Sequence, residues 1–195
     1  MDWFRSATDA TADVARAYLA GASRDGHVNR LHRTLRISQA NVDWLRLLQV
    51  LFDKAGSRSW IYRESARRSV WTIETCYVID PSPVLVTRGE VAAFVRGYFD
   101  AEGGVPRGRE AGFYIQLCQK NYTDLFRLRE MLVGRLGIAC GRIHNPSALA
   151  DPFYWRFYVR AAGHERFAAV VGSWHPIKAE ALQSRFGPAI PAKPR

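Results

Sequence analysis

The chain has 195 residues, of which 48% are hydrophobic and 24% charged, enough to bury a sizeable core in one large domain or two small ones. Its formal net charge of +10 favours a polyanionic partner, either nucleic acid or an anionic membrane. No apolar run is long enough to span a bilayer and the N-terminus does not resemble a signal peptide. We therefore expect an intracellular protein, in the cytoplasm, nucleoid or an organelle matrix, that is not secreted.

Arginine carries most of the positive charge, and it suits bidentate contacts with phosphates and guanine edges. A coding bias towards arginine would produce the same composition. The cysteines Cys76, Cys118 and Cys140 form no paired motif. Their spacing argues against a zinc site or a disulfide framework and fits a reducing compartment.

The first half of the chain predicts helices and strands in alternation. Asp9 is a candidate cap for the first helix, which Gly26 ends, and the alternation around Leu35 and Ile37 indicates a half-buried strand. The predicted helices cover 9–26 and 41–56, and the predicted strands lie within 27–38, 57–65 and 69–79.

After a segment broken by two prolines, the same order restarts. Phe113, Ile115 and Leu117 alternate with polar residues, so they are expected in the core. The predicted helices cover 90–103, 122–137 and the end of 164–183, and the predicted strands cover 111–119, 140–144 and 153–161.

This repetition predicts an α+β fold with two α-β-β-α-β-β halves, the second closed by a further helix, related by a pseudo-two-fold axis. The boundaries are 1–80 for the N-terminal half, 81–89 for a linker, 90–186 for the C-terminal half and 187–195 for a flexible tail.

One stretch carries a specific resemblance. The segment AFVRGYFDAEGG, residues 93–104, resembles the LAGLIDADG motif of homing endonucleases, and AYLAGASRDGHV, residues 17–28, is similar to a degenerate copy. The later segments IQLCQKNYTDLFRLREMLVGRLGI and SWHPIKAEAL are similar to downstream parts of the same family, so the resemblance extends from about Asp9 to about Leu182.

The resemblance implies a single-chain, two-motif enzyme. In that family the two motif helices pack between the halves, and two antiparallel sheets form a saddle along the major groove of DNA. The last acidic residue of each motif binds a divalent metal, normally Mg²⁺, over the minor groove. Carried over to this chain, the metal-binding and catalytic acids are Asp25 and Glu102. The implied activity is hydrolysis of both strands of a long asymmetric double-stranded target by a monomer.

The register of the first copy has two alternatives. An ungapped match places Asp25 opposite Glu102 but puts Ala20 opposite Gly97 and Ser23 opposite Asp100. In the second alternative the motif starts at LAG, residues 19–21, and one residue is missing before Asp25.

Three further catalytic candidates follow from the resemblance. Gln39 and Gln119 each end the first strand of a half, where the family carries a polar residue that orders water; a local hydrogen bond is the alternative. Lys178 matches a basic position near the scissile phosphate; a solvated helix lysine is the alternative.

DNA contacts are expected on the polar faces of the strands, because arginine and glutamine pair with base edges and tyrosine reaches phosphates. An ordinary solvated sheet face is the alternative. The candidates are Arg30, His32, Thr34, Arg36, Trp60, Tyr62, Thr72, Glu74, Tyr114, Gln116, Arg142, His144, Arg156 and Tyr158.

Three other functions compete. A LAGLIDADG-like protein that has lost cleavage would act as a DNA-binding regulator or an intron-splicing maturase, and the degenerate first motif favours this. An endonuclease module from an intein would need splicing residues that are missing here. A peripheral membrane protein would need a helix that concentrates basic charge, and we find none.

Overall fold

The computed structural model describes residues 3–64, 69–106 and 112–187. The first half consists of α1 (Trp3–Thr8), α2 (Ala12–Ala22), a 3₁₀ turn (Ser23–Asp25), β1 (His27–Asn29), β2 (Thr34–Gln39), α3 (Val42–Lys54), β3 (Ser59–Arg63) and β4 (Trp71–Thr75). The second half consists of α4 (Arg88–Glu102), β5 (Gly103–Gly104), β6 (Gln116–Gln119), α5 (Tyr122–Glu130), a π-helical turn (Met131–Arg135), β7 (Trp155–Tyr158), α6 (Ala161–Val170) and α7 (Pro176–Phe186).

Two antiparallel sheets confirm the predicted α+β duplication. The first sheet has the order β1-β2-β4-β3 and the second β5-β6-β7. Cys140 and His144 add isolated bridges to Val159 and Arg156, on the far side of β7. The segment between them therefore takes the place that β3 has in the first half, although it does not form the continuous strand predicted for 140–144.

Corresponding helices in the two halves start with the same kind of cap. Asn41 accepts a hydrogen bond from the amide of Trp44 (3.0 Å) to begin α3, and Asn121 accepts one from Thr123 (3.0 Å) to begin α5. The cap of α2 is Thr11 and not Asp9, the predicted candidate. The helix α1, which precedes it, was not predicted.

The apolar faces of the strands agree with the predicted alternation. Leu35, Ile37, Ile115 and Leu117 are buried in the core, and Phe113 packs against it. The first strand differs from the prediction, because residues 27–38 divide into β1 and β2. The intervening turn includes Arg33 with a positive φ of 53°.

Close packing of α2 against α4 joins the halves. A side chain on Gly21 would collide with the carbonyl oxygen of Phe94, and one on Gly97 would collide with that of Tyr18. The reciprocal contacts make Gly21 the equivalent of Gly97. The helix crossing therefore follows the second of the two registers, in which the motif starts at Leu19 and one residue is missing before Asp25.

The remaining predictions concern the chain ends and the membrane. Residues 188–195, most of the predicted tail, lie outside the described part of the chain. Within the described part, the helices are too short or too polar to cross a bilayer.

Candidate active site

Asp25 and Glu102 lie at the C-terminal ends of the two helical segments that pack between the halves. Asp25 ends the 3₁₀ turn that continues α2, and Glu102 is the last residue of α4. Burial raises the pKa of the Glu102 carboxyl, and the negative charge of Asp25 raises it further. The charge of Asp25 thus acts on Glu102, and their joint metal site stays a prediction.

The 3₁₀ turn compensates for the missing residue of the first motif. Three residues of 3₁₀ helix rise about 6 Å, as do four residues of α-helix. The three residues Ser23–Asp25 therefore span the same axial distance as four residues at the end of α4. The shorter motif still brings Asp25 to the level of Glu102.

Gln39 contacts the first acid directly. Its Nε2 donates a hydrogen bond to Oδ2 of Asp25 at 2.5 Å. Partial burial raises the pKa of Asp25, although part of its side chain is exposed; the hydrogen bond from Gln39 and the charge of Lys178 oppose this rise. Gln39 therefore orients the Asp25 carboxylate.

Gln119 occupies the equivalent strand end but contacts other groups. Its Oε1 accepts a hydrogen bond from the amide of Lys120 at 2.7 Å. Burial raises the pKa of Tyr98, and a hydrogen bond from Gln119 opposes that rise. Among the described contacts, none joins Gln119 to Glu102, so the two glutamines are not equivalent.

Lys178 is partly buried and is held by hydrogen bonds to the backbone of α4. Its Nζ donates to the carbonyl oxygens of Phe99 and Asp100, both at 2.7 Å, at the C-terminal end of α4. Burial lowers its pKa, while the charges of Asp100, Asp25 and Glu102 raise it. The lysine therefore caps the helix that carries Glu102 and sets a positive charge beside both acids.

Asp100 is buried, with 2% of its surface exposed. It accepts hydrogen bonds from the Tyr18 hydroxyl (2.7 Å), the Trp174 amide (2.8 Å) and the Ser173 hydroxyl. The indole of Trp44 donates to the same tyrosine at 2.8 Å. Sequence analysis missed this network, which fixes the segment that leads into α7 and Lys178.

The donor set at the acid pair fits a hard divalent cation. Mg²⁺ prefers carboxylate oxygens and retains several waters, so two carboxylates are sufficient protein ligands. Asp25 and Glu102 also repel each other, and a cation between them would relieve that repulsion. Among the described residues there is no cluster of three or more metal-ligating His, Cys, Asp or Glu side chains.

The predicted DNA-binding residues of the first half lie mostly on one sheet face. Arg36 pairs across the strands with Glu74, which in turn pairs with Trp60. Trp60 is exposed, whereas Thr34, Thr72 and Glu74 are buried. Those three side chains do not reach the surface, which corrects the expectation that they contact DNA directly. Two others, Arg30 and His32, lie in the turn between β1 and β2.

In the second half, the equivalent face brings several candidates together. Gln116 pairs with Tyr158, and its amide donates to the Tyr154 hydroxyl at 3.3 Å. The Tyr114 ring, just before β6, meets the Tyr158 ring edge to face at 6.0 Å. Two candidates lie on neighbouring strands, since His144 bridges Arg156. Exposed Arg142 lies between the two isolated bridges and outside any strand.

Residues 89–172 match the family model of the LAGLIDADG-like domain. The predicted family resemblance is thereby confirmed for the second half of the chain. No protein with a curated description matches the sequence.

The fold of nearly the whole chain matches solved LAGLIDADG structures. Full-length DUF199/WhiA from Thermatoga maritima has a TM-score of 0.65 and 15% identity over 94% of this chain, which spans 65% of the length of WhiA. Mesophilic variants of the homing endonuclease I-DmoI have a TM-score of 0.63 and 17% identity, over 90% of this chain and 100% of theirs. I-DmoI in complex with DNA and Ca has the same TM-score, identity and coverage.

Proposed function

Since residues 89–172 carry a LAGLIDADG-like domain in a chain with that fold, we propose that the protein is a homing-type, site-specific double-strand DNA endonuclease. The protein acts as a monomer on a long asymmetric target, because the duplicated halves of one chain supply both acids. The observation that supports this proposal is the position of Asp25 and Glu102 at the ends of the two helical segments that pack between the halves.

A polyanionic substrate agrees with the charge of the chain. The net charge is +10, and arginine and aromatic side chains occupy the polar sheet faces. The similar fold of I-DmoI has been solved in complex with DNA together with Mn or Ca. These features favour double-stranded DNA as the substrate and a divalent cation, Mg²⁺ in the first instance, as the cofactor.

Asp25 and Glu102 would hold the divalent cation, which when bound supplies an activated water and stabilises the leaving oxygen of the phosphodiester. Gln39 orients the carboxylate of Asp25 through its hydrogen bond. Lys178 holds the end of α4 in place and offsets the negative charge that the acids present to the DNA backbone. The two sheets bind the duplex on either side of the acids.

The proposal is tested with purified protein, Mg²⁺ and a plasmid library of randomised sites, followed by sequencing of linear product. The wild-type protein linearises plasmids that share one long asymmetric motif. The variants Asp25→Asn and Glu102→Gln abolish cleavage of that site but bind it as well or more tightly, because a repulsive charge is removed.

The matched control is Asp53→Asn, which removes an exposed acid of α3 and leaves cleavage unchanged. Full cleavage by either acid variant would contradict the assignment of the site. Absence of any sequence-selective cleavage by the wild type would contradict the proposed activity.

A second candidate function is DNA binding without cleavage, as a regulator or an intron-splicing maturase. The shortened first motif favours it, and the chain also shares its fold with WhiA, which contains an N-terminal LAGLIDADG domain. The same library distinguishes the two candidates, because this function enriches a bound site that Mg²⁺ does not linearise.

A further inference from the structure

The polar face of the first sheet contains a buried carboxylate. Glu74 lies on β4 with only 5% of its surface exposed, on the face that carries Arg36 and Trp60. A carboxylate on a surface that binds DNA would repel the phosphates unless it is neutralised. Its position therefore needs a specific explanation.

Two hydroxyl donors and one guanidinium surround this carboxylate, and the guanidinium is held by an ion pair and not by a hydrogen bond. The hydroxyl of Thr34 donates to Oε1, the hydroxyl of Tyr62 donates to Oε2 at 3.0 Å, and the Nε of Arg36 lies 3.1 Å from Oε1. Burial alone would raise the pKa of Glu74, but these contacts hold it below its usual value. Glu74 therefore stays ionised at neutral pH, and its charge is balanced locally.

The ion pair with Glu74 restrains Arg36 but leaves the two Nη groups of its guanidinium available for another partner. The carboxylate approaches the Nε side of the guanidinium. Among the described residues, the guanidinium of Arg36 has this ion pair but no hydrogen bond, so both Nη groups are unoccupied, and 27% of the side chain is exposed. An arginine held in one orientation loses less conformational entropy when it binds a base edge.

The second half has no such arrangement. Arg156, on the equivalent polar face, donates to Nε2 of His144 at 3.4 Å and lies over the Tyr158 ring at 5.4 Å. It forms no ion pair with a carboxylate in the described part of the chain. Within the described residues, the pairing of a buried carboxylate with an arginine on the polar sheet face therefore occurs in the first half and not in the second.

We propose that Glu74 is a positioning residue that holds Arg36 ready to read a guanine in the major groove of the first half-site. Arginine pairs bidentately with O6 and N7 of guanine, and free Nη groups are what that contact needs. Because it is buried, Glu74 itself does not read a base. The inference rests on the proposed DNA binding. It further specifies guanine as the base that is recognised and Arg36 with Glu74 as the residues responsible.

The test measures base preference and not only affinity. Duplexes from a randomised library are selected by binding without divalent metal and then sequenced, for the wild type, Arg36→Ala, Glu74→Gln and the double variant. We expect Arg36→Ala to reduce preference for guanine at one position by roughly 5- to 100-fold. Glu74→Gln should lose most of the same preference, and the double variant should lose no more than Arg36→Ala alone.

Two controls separate positioning from a structural effect. Non-specific affinity of Glu74→Gln should be unchanged or higher, because the variant removes a negative charge buried beneath the DNA-facing surface. Arg156→Ala should change preference only in the other half-site. If Glu74→Gln fails to fold, Glu74→Asp retains the charge but shortens the side chain, and it should still weaken the guanine preference.

Distinct results would overturn the inference. A folded Glu74→Gln or Glu74→Asp variant with unaltered guanine preference would show that Arg36 does not depend on Glu74. A preference for cytosine that Arg36→Ala retains and Glu74→Gln loses would show that Glu74 reads a base directly. A wild-type protein with no base preference anywhere would overturn the proposed DNA function together with this inference.

Discussion

Arg24 in the first half and Asp100 in the second are equivalent when Gly21 is matched to Gly97, yet their charges are opposite. Arg24 donates to the carbonyl oxygen of Pro81 at 2.9 Å and pairs with Asp124 at 3.1 Å. Asp100 accepts hydrogen bonds from Ser173 and Trp174. Each residue thus fastens the segment that follows the sheet of its own half.

The difference lies in burial and in what the fastened segment carries. Asp100 is 2% exposed, whereas the Arg24 side chain is 20% exposed. The segment after Asp100 continues into α7 and brings Lys178 to the end of α4, while the segment at Pro81 brings no lysine. The two halves therefore share a scaffold but position their acids differently. Gln39 donates a hydrogen bond to Asp25, whereas Lys178 caps the helix that ends at Glu102.

Because the two halves share a scaffold, we expect substitutions of the two interface glycines to destabilise the protein equally. Gly21→Ala and Gly97→Ala each place a methyl group against the backbone of the other helix, so each should lower the free energy of unfolding by about 3 kcal/mol. Chemical denaturation measures both. Gly134→Ala, where the new methyl group meets no neighbour within a helical turn, is the control and should not destabilise the protein. A large difference between Gly21→Ala and Gly97→Ala would break the two-fold comparison.

Because Asp100 and Arg24 differ in burial, we expect substitutions at these two positions to lower the free energy of unfolding by different amounts. Asp100→Asn replaces a buried carboxyl that accepts three hydrogen bonds by an amide, and it should cost about 2–3 kcal/mol of unfolding free energy. Arg24→Gln breaks a partly exposed ion pair and should cost about 1 kcal/mol or less. Urea denaturation of both variants tests this order, and equal losses would show that burial does not distinguish the anchors.

The shared acid pair predicts a pH-dependent response to metal. Mg²⁺ at about 100 times its Kd should stabilise the fold by about 2.7 kcal/mol, and Asp25→Asn should abolish most of this gain. Both acids have raised pKa values, so protons compete with the metal at a higher pH than for ordinary carboxyls. The rise in Tm with Mg²⁺ should shrink from about pH 8 to about pH 5. A shift independent of pH would mean that Mg²⁺ binds elsewhere.

The sequence predicted the features that depend on local pattern. The duplicated order of helices and strands, the core positions Leu35 and Ile37, and the helix ends that carry Asp25 and Glu102 could all be predicted, because periodicity and a motif encode them. The register of the first motif could not be chosen, because the choice depends on how Gly21 meets the other helix.

Features that depend on distant contacts were missed. Asp100 meets Ser173 and Trp174, more than 70 residues away in the chain, and nothing in the local pattern indicates that contact. Lys178 was a candidate from the family resemblance, but its contacts with the end of α4 could not be predicted before α7 was placed. Glu74 fits a polar strand face by alternation, and only the packing of its neighbours shows that it is buried.

The most direct test of unequal halves is a strand-specific cleavage time course with Lys178→Met. Lys178 caps the helix of Glu102, and the first half has no equivalent lysine. With supercoiled plasmid and strand-specific end labels, we expect one strand to be cut much more slowly, so that nicked circles accumulate before linear product. Lys120→Met, at an exposed lysine, should cut both strands at the wild-type rate. Equal slowing of both strands by Lys178→Met, or no slowing, would contradict the account.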